Sequence, residues 1–528
     1  ERPPAANSLC QALRGRRPLL QGGVMIRGIL SRSPLGWGEA AALLAGALLP
    51  LAYAPFGFYP LAWLSLAAFF LLLQDLPARR ALLRGWCYGI GLFGVGVSWV
   101  YVSIHYYGNA GVLASAAAAF AMVLALALYP ALLAWGVNRF GPRRGAPRYL
   151  LLLPAAWVLA EWLRGWVFTG FPWLNLGYSQ IETPLAGFAP LLGVYGVSWL
   201  AALLAGLLAL AWREPRRSRG AGWLAVAGLL LVVGLPVERF EWTRANGAPV
   251  QASLLQGNIA QDMKWLPEVQ MSTVERYAEL TRDSRDSQLI IWPETAIPAF
   301  YHQVEEDLLP QLQAAAERWD VDLLIGIPLL DRERWEYFNA VMSVGDQHRF
   351  YHKQHLVPFG EYMPWRPLLE RFLTAIDLAM ADFSRGAPDQ PLLQAAGHAV
   401  GTSICYEVAF GEEIIRALPD AALLVNVSND GWFGDSLAPH QHLEIARMRA
   451  RETGRYLLRA TNTGISAIID ERGRVVQRSP QFEVAVLTGP VQPRTGATPY
   501  VMWGNWPVVS GALLVLALVV LWRRRVSG

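Results

Sequence analysis

Two patterns of hydrophobic and polar positions divide the chain. Residues 38–54, 59–75, 84–106, 110–136, 150–168, 187–211, 222–236 and 508–522 are apolar almost throughout, with short polar breaks between them. Residues 240–500 mix polar and apolar positions as a water-facing domain does. A helix that crosses a bilayer needs roughly 20 predominantly apolar residues. The pattern therefore predicts a polytopic α-helical membrane domain of about eight transmembrane helices. Several runs are short of that length, so the pattern defines their number better than their edges.

The polar breaks differ in charge. Segments 27–32, 79–84, 139–148, 213–219 and 523–525 are rich in arginine, whereas the breaks near 55–59, 105–109 and 170–183 contain no lysine or arginine. Basic loops face the cytoplasm. With the amino terminus inside, seven spans carry the chain outside at residue 237, the eighth returns it, and all five basic segments share one side. The expected organisation is a cytoplasmic basic segment over 1–36, a membrane domain with seven helices over 37–236, an extracytoplasmic domain over 240–500, an eighth helix over 508–522 and a cytoplasmic basic tail over 523–528. The chain opens on Glu1 and its first methionine is Met25, so residues 1–24 are set aside as an extension.

Within 240–500 the period changes. Residues 250–255, 288–292, 322–327, 340–344, 399–403, 421–427, 456–461 and 466–469 read as strands, and 272–285, 305–318 and 441–455 as helices. This alternation fits an α/β domain of two packed sheets covered by helices.

Composition agrees. The chain is 54% hydrophobic and only 16% charged, against about 25% charged in an ordinary soluble domain. A net charge of +4 over 528 residues gives no case for nucleic acid as a partner. The three cysteines, Cys10, Cys87 and Cys405, form no CxxC pair, which removes the usual zinc and thioredoxin-like readings. Gly89, Gly91 and Gly94 match a dinucleotide fingerprint in spacing, but they lie inside an apolar helix with no strand before it, where small residues serve close helix packing. Glu161 and Arg164, three apart within a span, read either as a self-neutralising pair with a functional role or as a contact to lipid headgroups.

Three strand ends carry candidate chemistry. Leu289-Ile290-Ile291-Trp292-Pro293-Glu294 ends an apolar strand on a carboxylate. Phe350-Tyr351-His352-Lys353 presents a lysine shortly before Pro358-Phe359-Gly360-Glu361, and Ser403-Ile404-Cys405-Tyr406-Glu407 ends a third strand on a cysteine and a glutamate. Taken singly, Cys405 reads as a buried structural residue, Glu294 as a turn residue and Lys353 as a solvated strand residue. An unpaired cysteine in an oxidising compartment is unusual, however. His440 and His442 lack a third and fourth ligand, so no metal site is expected.

Together these motifs resemble the Glu–Lys–Cys triad of the nitrilase (carbon–nitrogen hydrolase) superfamily, and with seven spans before the domain and one after, its membrane-bound apolipoprotein N-acyltransferase family. Further matching stretches are Gln256-Gly257-Asn258, Lys264-Trp265, His355-Leu356-Val357 and Ser428-Asn429-Asp430-Gly431-Trp432-Phe433. The resemblance implies an αββα sandwich in the catalytic domain, located on the periplasmic or extracytoplasmic side of a bacterial cytoplasmic (inner) membrane. It implies Glu294 as general base and acid, Cys405 as nucleophile, and Lys353 with the backbone N–H of Tyr406 as the oxyanion site. Glu361 and Glu407 become supporting carboxylates. Trp265 and Trp432, otherwise ordinary core aromatics, fall near the substrate pocket. The implied reaction acylates Cys405 from a phospholipid, usually phosphatidylethanolamine, then passes the chain to the α-amino group of a diacylglyceryl-cysteine that begins an apolipoprotein. It needs no cofactor.

Residues 362–385 add apolar positions at helical spacing, among them Phe372 and Ile376. They read as a helix on the domain core or as an amphipathic lid that lies on the bilayer and admits acyl chains. Two rival functions share the pattern: a membrane-anchored nitrilase-type amidase that releases the acyl group to water, and a transporter or receptor whose exposed domain binds ligand. A monomer is expected.

Overall fold

A computed structural model describes residues 36–527 apart from 215, 346–347 and 365–381. All eight apolar runs are helical: α1 (Trp37–Leu48), α2 (Pro60–Leu72), α3 (Ala78–Gly96), α4 (Val112–Leu126) with α5 (Leu128–Phe140), α6 (Leu153–Arg164), α7 (Ala189–Arg213), α8 (Arg217–Glu238) and, at the end, Trp506–Ser527. Among the described residues four stretches, Val112–Phe140, Pro184–Arg213, Arg217–Glu238 and Trp506–Arg523, are long and apolar enough to cross a membrane singly. Ala78–Gly96 and Trp99–Tyr107 do so only as a pair bent by 53°, and Trp37–Ala52 and Pro60–Leu72 are shorter. The expected 84–106 run thus begins earlier and is broken. Its arginines stay in α3 because Arg80 and Arg84 both donate to Glu39 of α1, at 3.1 and 3.2 Å.

The glycines of α3 serve packing. A Cβ on Gly89 would lie 2.6 Å from Ala127 Cα, and one on Gly91 would lie 2.0 Å from the Leu43 carbonyl, so two neighbouring helices approach through them. At one end of the bundle the basic segments converge. Arg144 bonds Asp75 at 2.9 Å, Arg148 donates to the Leu73 carbonyl at 3.1 Å, Arg213 to the Tyr149 hydroxyl at 3.1 Å, and Arg523 to the Arg139 carbonyl at 3.0 Å.

Among the described residues the α/β part contains two six-stranded sheets. The strands are β1 (Val250–Gln256), β2 (Leu289–Ile291), β3 (Asp322–Asp331), β4 (Glu336–Val344), β5 (Arg349–His352), β6 (Leu393–Ala395), β7 (His398–Ile404), β8 (Leu423–Ser428), β9 (Leu457–Thr461), β10 (Ala467–Ile469), β11 (Val475–Arg478) and β12 (Ala485–Val491). One sheet runs β12-β1-β2-β3-β4-β5 and the other β11-β10-β9-β8-β7-β6. The eight expected strands are all present. The edge strand β12 carries Gly489 and Pro490; proline is tolerated there because β12 pairs on one side only, with β1.

Residue alternation builds the layers. Leu289 and Ile291 join the core between the sheets with Val425, Val427, Leu458 and Ala460. Ile290, between them, faces outward with Leu323 and Ile325 against Leu309, Leu312 and Ala316 of the helix Leu308–Trp319 and Tyr277 of Pro267–Asp283. The helix Ala438–Thr453 covers the other sheet. It is buried almost throughout, polar residues included, because the membrane bundle lies on its far side: Glu452 accepts the Val194 N–H of α7, and Arg449 lies over the Tyr178 ring at 5.7 Å. The result is helix–sheet–sheet–helix, the αββα arrangement.

Candidate active site

Glu294, Lys353 and Cys405 follow the carboxyl ends of β2, β5 and β7. In each sheet these strands run in one direction (β2 with β3, β7 with β8 and β9, and β5 antiparallel to β4), so their ends open on one place. Strand ends hold side chains rigidly while the loops beyond them admit a ligand.

Glu294 bridges the sheets. Its Oε1 accepts Asn339 Nδ2 of β4 at 2.7 Å, and its Oε2 accepts the backbone N–H of Asn429, just after β8, at 2.7 Å. Lys353 Nζ lies 3.7 Å from the same Oε1 and 2.7 Å from Glu361 Oε1. Glu361 is held by the Val357 N–H at 2.8 Å. Burial works against the charge of Lys353, but the carboxylates of Glu361 and Glu294 outweigh it and hold the ammonium well above the usual lysine range.

Cys405 leaves β7 with φ 52°, a left-handed backbone unusual for a residue with a side chain. Such strain persists only where surroundings enforce it. Here the Cys405 carbonyl accepts from Asn426 Nδ2 at 3.3 Å and His442 Nε2 at 3.2 Å. His442 Nδ1 in turn accepts from Arg459 at 2.9 Å, and Arg459 forms a fully buried ion pair with Asp430 at 2.9 Å. Both histidine nitrogens thereby have protein partners. The thiol lies close enough to Glu294 and Lys353 for both charges to act on it. Burial pushes the thiol up to about 12; the charge of Glu294 adds to this, while Lys353 pulls the other way. The thiol is therefore neutral at rest, and a nucleophilic role would require it to lose its proton.

Glu407 is a clamp. Its carboxylate accepts N–H groups of Ile404 at 2.7 Å, Gln354 at 2.6 Å and His355 at 3.0 Å, and the Tyr351 hydroxyl at 3.1 Å. It thereby ties the turn carrying Lys353 to the turn carrying Cys405. Burial pushes its carboxyl up to about 7, against the pull of Lys353 and of those N–H groups. Tyr406 is buried, and its hydroxyl donates to the Gly170 carbonyl of the membrane domain at 3.0 Å.

Trp265 and Trp432 are both roughly half exposed. Each sits in a loop that touches Glu294: Lys264 donates to the Glu294 carbonyl at 3.1 Å, and Asn429 precedes Trp432 by one turn. Tyr107, at the end of the bent pair, meets the Trp432 ring edge-on at 6.3 Å. Phe372 and Ile376 lie outside the described residues. The two ends of their segment meet at Glu361, whose carbonyl accepts the Phe383 N–H at 2.9 Å.

Sequence reasoning missed Asn339, Asn429, His442, Arg459 and Lys264 as parts of the site. Lys264 is buried, with Nζ on the Glu294 carbonyl and the Thr295 hydroxyl; burial pulls its ammonium down to about 8, with Glu294 pulling the other way. Its place in a stretch already noted before Trp265 was the available signal.

Residues 45–207 match the apolipoprotein N-acyltransferase N-terminal domain, and residues 251–500 match the carbon-nitrogen hydrolase domain. An apolipoprotein N-acyltransferase of Methylococcus capsulatus is 49% identical over 484 residues, 92% of this chain and 96% of its own. Those of Azotobacter vinelandii, 44% identical over 93% of this chain and 96% of theirs, and Nitrosomonas europaea, 47% identical over 88% and 93%, are similar along the same length. With the membrane helices and the sandwich domain matched together, the chain belongs to the apolipoprotein N-acyltransferase family.

Proposed function

We infer that this chain moves an acyl chain from a membrane phospholipid, phosphatidylethanolamine being the expected donor, to the α-amino group of the S-diacylglyceryl-cysteine that begins an apolipoprotein. The observation that carries this reading is the arrangement of two carboxylates about Lys353: Glu361 pairs with the ammonium at 2.7 Å, and Glu294 stands 3.7 Å away with its charge acting on the Cys405 thiol. Glu294 is thus available as a base while the lysine keeps its charge.

In the first half-reaction Cys405 Sγ attacks the ester carbonyl of the donor as its proton passes to Glu294. The oxyanion forms against Lys353 Nζ and the Tyr406 backbone N–H. Collapse breaks the ester bond, and Glu294 returns the proton to the leaving lysophospholipid oxygen. In the second half the acceptor amine attacks the thioester, Glu294 takes its proton, and the thiolate departs and is reprotonated. The intermediate makes the reaction ping-pong. Both substrates are lipids, which accounts for a catalytic domain seated on a helix bundle. The basic end of the bundle faces the cytoplasm in this reading, and the sandwich domain faces the extracytoplasmic side of the inner membrane.

Intact-protein mass spectrometry of the detergent-purified protein with phosphatidylethanolamine alone tests the proposal. An added acyl mass is expected that hydroxylamine removes and that Cys405→Ala lacks. A diacylglyceryl-cysteine peptide should discharge it and carry the acyl group on its amine. Decay at the same rate without peptide would instead identify a hydrolase.

A further inference from the structure

Glu161 and Arg164 have no part in the reaction above, yet both are almost fully buried at the end of α6. They form no direct ion pair, and each side chain is held by other partners. Arg164 donates to the carbonyls of Phe171, at 2.8 Å, and Trp173, and to Asn175 Oδ1 at 2.8 Å. Glu161 Oε1 accepts the Leu176 N–H at 2.7 Å, and Tyr53 of the opening helical segment donates to the Leu174 carbonyl at 2.9 Å. Both charged residues therefore fasten one loop, 170–176, to the membrane bundle.

The other side of that loop holds the nucleophile turn. Gly170 receives the Tyr406 hydroxyl at 3.0 Å, and the Trp173 ring stacks with the Tyr406 ring at 6.4 Å and 24°. The Trp173 indole N–H donates to Gln441 of the helix Ala438–Thr453 at 2.6 Å. The turn is strained where it starts: Phe168, Thr169 and Gly170 have φ 56°, 75° and 93° in succession. Two residues with side chains hold left-handed backbone there, which requires enforcement from outside the turn. At Gly170 a Cβ would fall 2.1 Å from the Gly165 carbonyl, so the close approach admits only glycine.

We propose that Arg164 is a positioning residue for the oxyanion site, acting through the 170–176 loop and the Tyr406 side chain; the inference rests on the acyl-transfer reading above. The Tyr406 side chain is fixed at its hydroxyl and on its ring face by a loop that Arg164 holds. Its backbone N–H is the oxyanion donor. An electrostatic donor acts through placement, and a displacement of about 1 Å can cost on the order of a hundredfold in rate. Arginine suits the task because one planar fork reaches three acceptors, whereas a lysine ammonium is a point charge that cannot span them.

The test is single-turnover acylation of Cys405 by phosphatidylethanolamine in full-length protein, followed by intact mass at several donor concentrations. Arg164→Lys and Tyr406→Phe should each lower the limiting rate by about tenfold or more, with the half-saturating donor concentration within about twofold of wild type. The double variant should be no slower than the slower single variant, because both break one linkage. If Arg164→Lys does not yield folded protein, Asn175→Ala, which removes one anchor of the guanidinium, takes its place. A wild-type rate in Tyr406→Phe, additive losses, or a change confined to half-saturation would overturn the inference while leaving the acyl-transfer reading intact. No adduct in the wild-type protein would overturn both.

Discussion

Lys353 Nζ lies 2.7 Å from Glu361 Oε1, within an ion pair whose lysine is almost fully buried. Glu361 thus absorbs most of the lysine's attraction and leaves Glu294 one ångström further off. Removing one partner of a buried pair leaves the other charge to find a new neighbour. Glu361→Gln should draw Lys353 onto Glu294, making it a poorer base and removing the oxyanion cation together. Acylation of Cys405 is expected to fall on the order of a hundredfold, with the protein still folded. A rate within a factor of about two of wild type would show that Glu361 does not partition the two charges.

Cys405 offers a pH test with a definite sign. Burial first, then the charge of Glu294, raises its thiol, and Lys353 lowers it. The rate of alkylation by iodoacetamide follows the thiolate fraction. In wild type that rate should still be climbing above pH 10. Glu294→Gln removes a raising charge, so its inflection should move to lower pH although acyl transfer is lost. Lys353→Met removes the lowering charge and should move the inflection up. Inflections that stay together across the three proteins would show that neither charge reaches the thiol.

Gly326 of β3 tests the placement of Glu294 from behind. A Cβ there would lie 2.2 Å from the Pro293 carbonyl and 2.7 Å from Glu294 Cα, contacts with backbone that no rotamer relieves. Gly326→Ala is expected to shift the 293–295 turn and to lower the acylation rate by about tenfold or more. Iodoacetamide should still reach Cys405, which separates a displaced base from an unfolded domain.

The parts of this architecture that were legible in sequence share a local cause. Glu294 and Cys405 end apolar strands and Lys353 ends the short strand 349–352, but each alone also fits a structural role, and only the ordered set of motifs singled them out. Asn339 sits in the middle of β4, where a buried polar residue looks like any strand residue until its partner across the sheets is known. Asp430, His442 and Arg459 lie on three elements and meet only because β8, β9 and the helix Ala438–Thr453 pack together. That helix suggests a solvent-facing polar side, but the bundle covers it, so its charges are interior. The spacing of Glu161 and Arg164 suggested a mutual pair; Arg164 bonds backbone and amide groups of the following loop, and Glu161 divides between that loop's Leu176 N–H and the Trp157 indole, which no side-chain periodicity reports.

Lys264 provides the last prediction, on stability. Its buried ammonium is pulled down to about 8, against an ordinary lysine value of 10.5. Between those values the unfolded chain binds the proton more than the folded one, so stability rises with pH across that window. The cause is burial of the charge, partly offset by the charge of Glu294. Lys264→Met removes the titrating group and leaves that carbonyl without its donor. At pH 7 the two effects oppose each other: lost charge burial stabilises the variant, and the orphaned acceptor destabilises it by about 1–3 kcal/mol. The pH dependence separates them, because only the first titrates. Thermal unfolding of wild type in detergent should shift to higher temperature from pH 7.5 to pH 9.5 relative to Lys264→Met, by about 2–4 °C. Parallel shifts in the two proteins would mean that the buried lysine keeps its proton throughout and that its role beside Glu294 is that of a fixed cation.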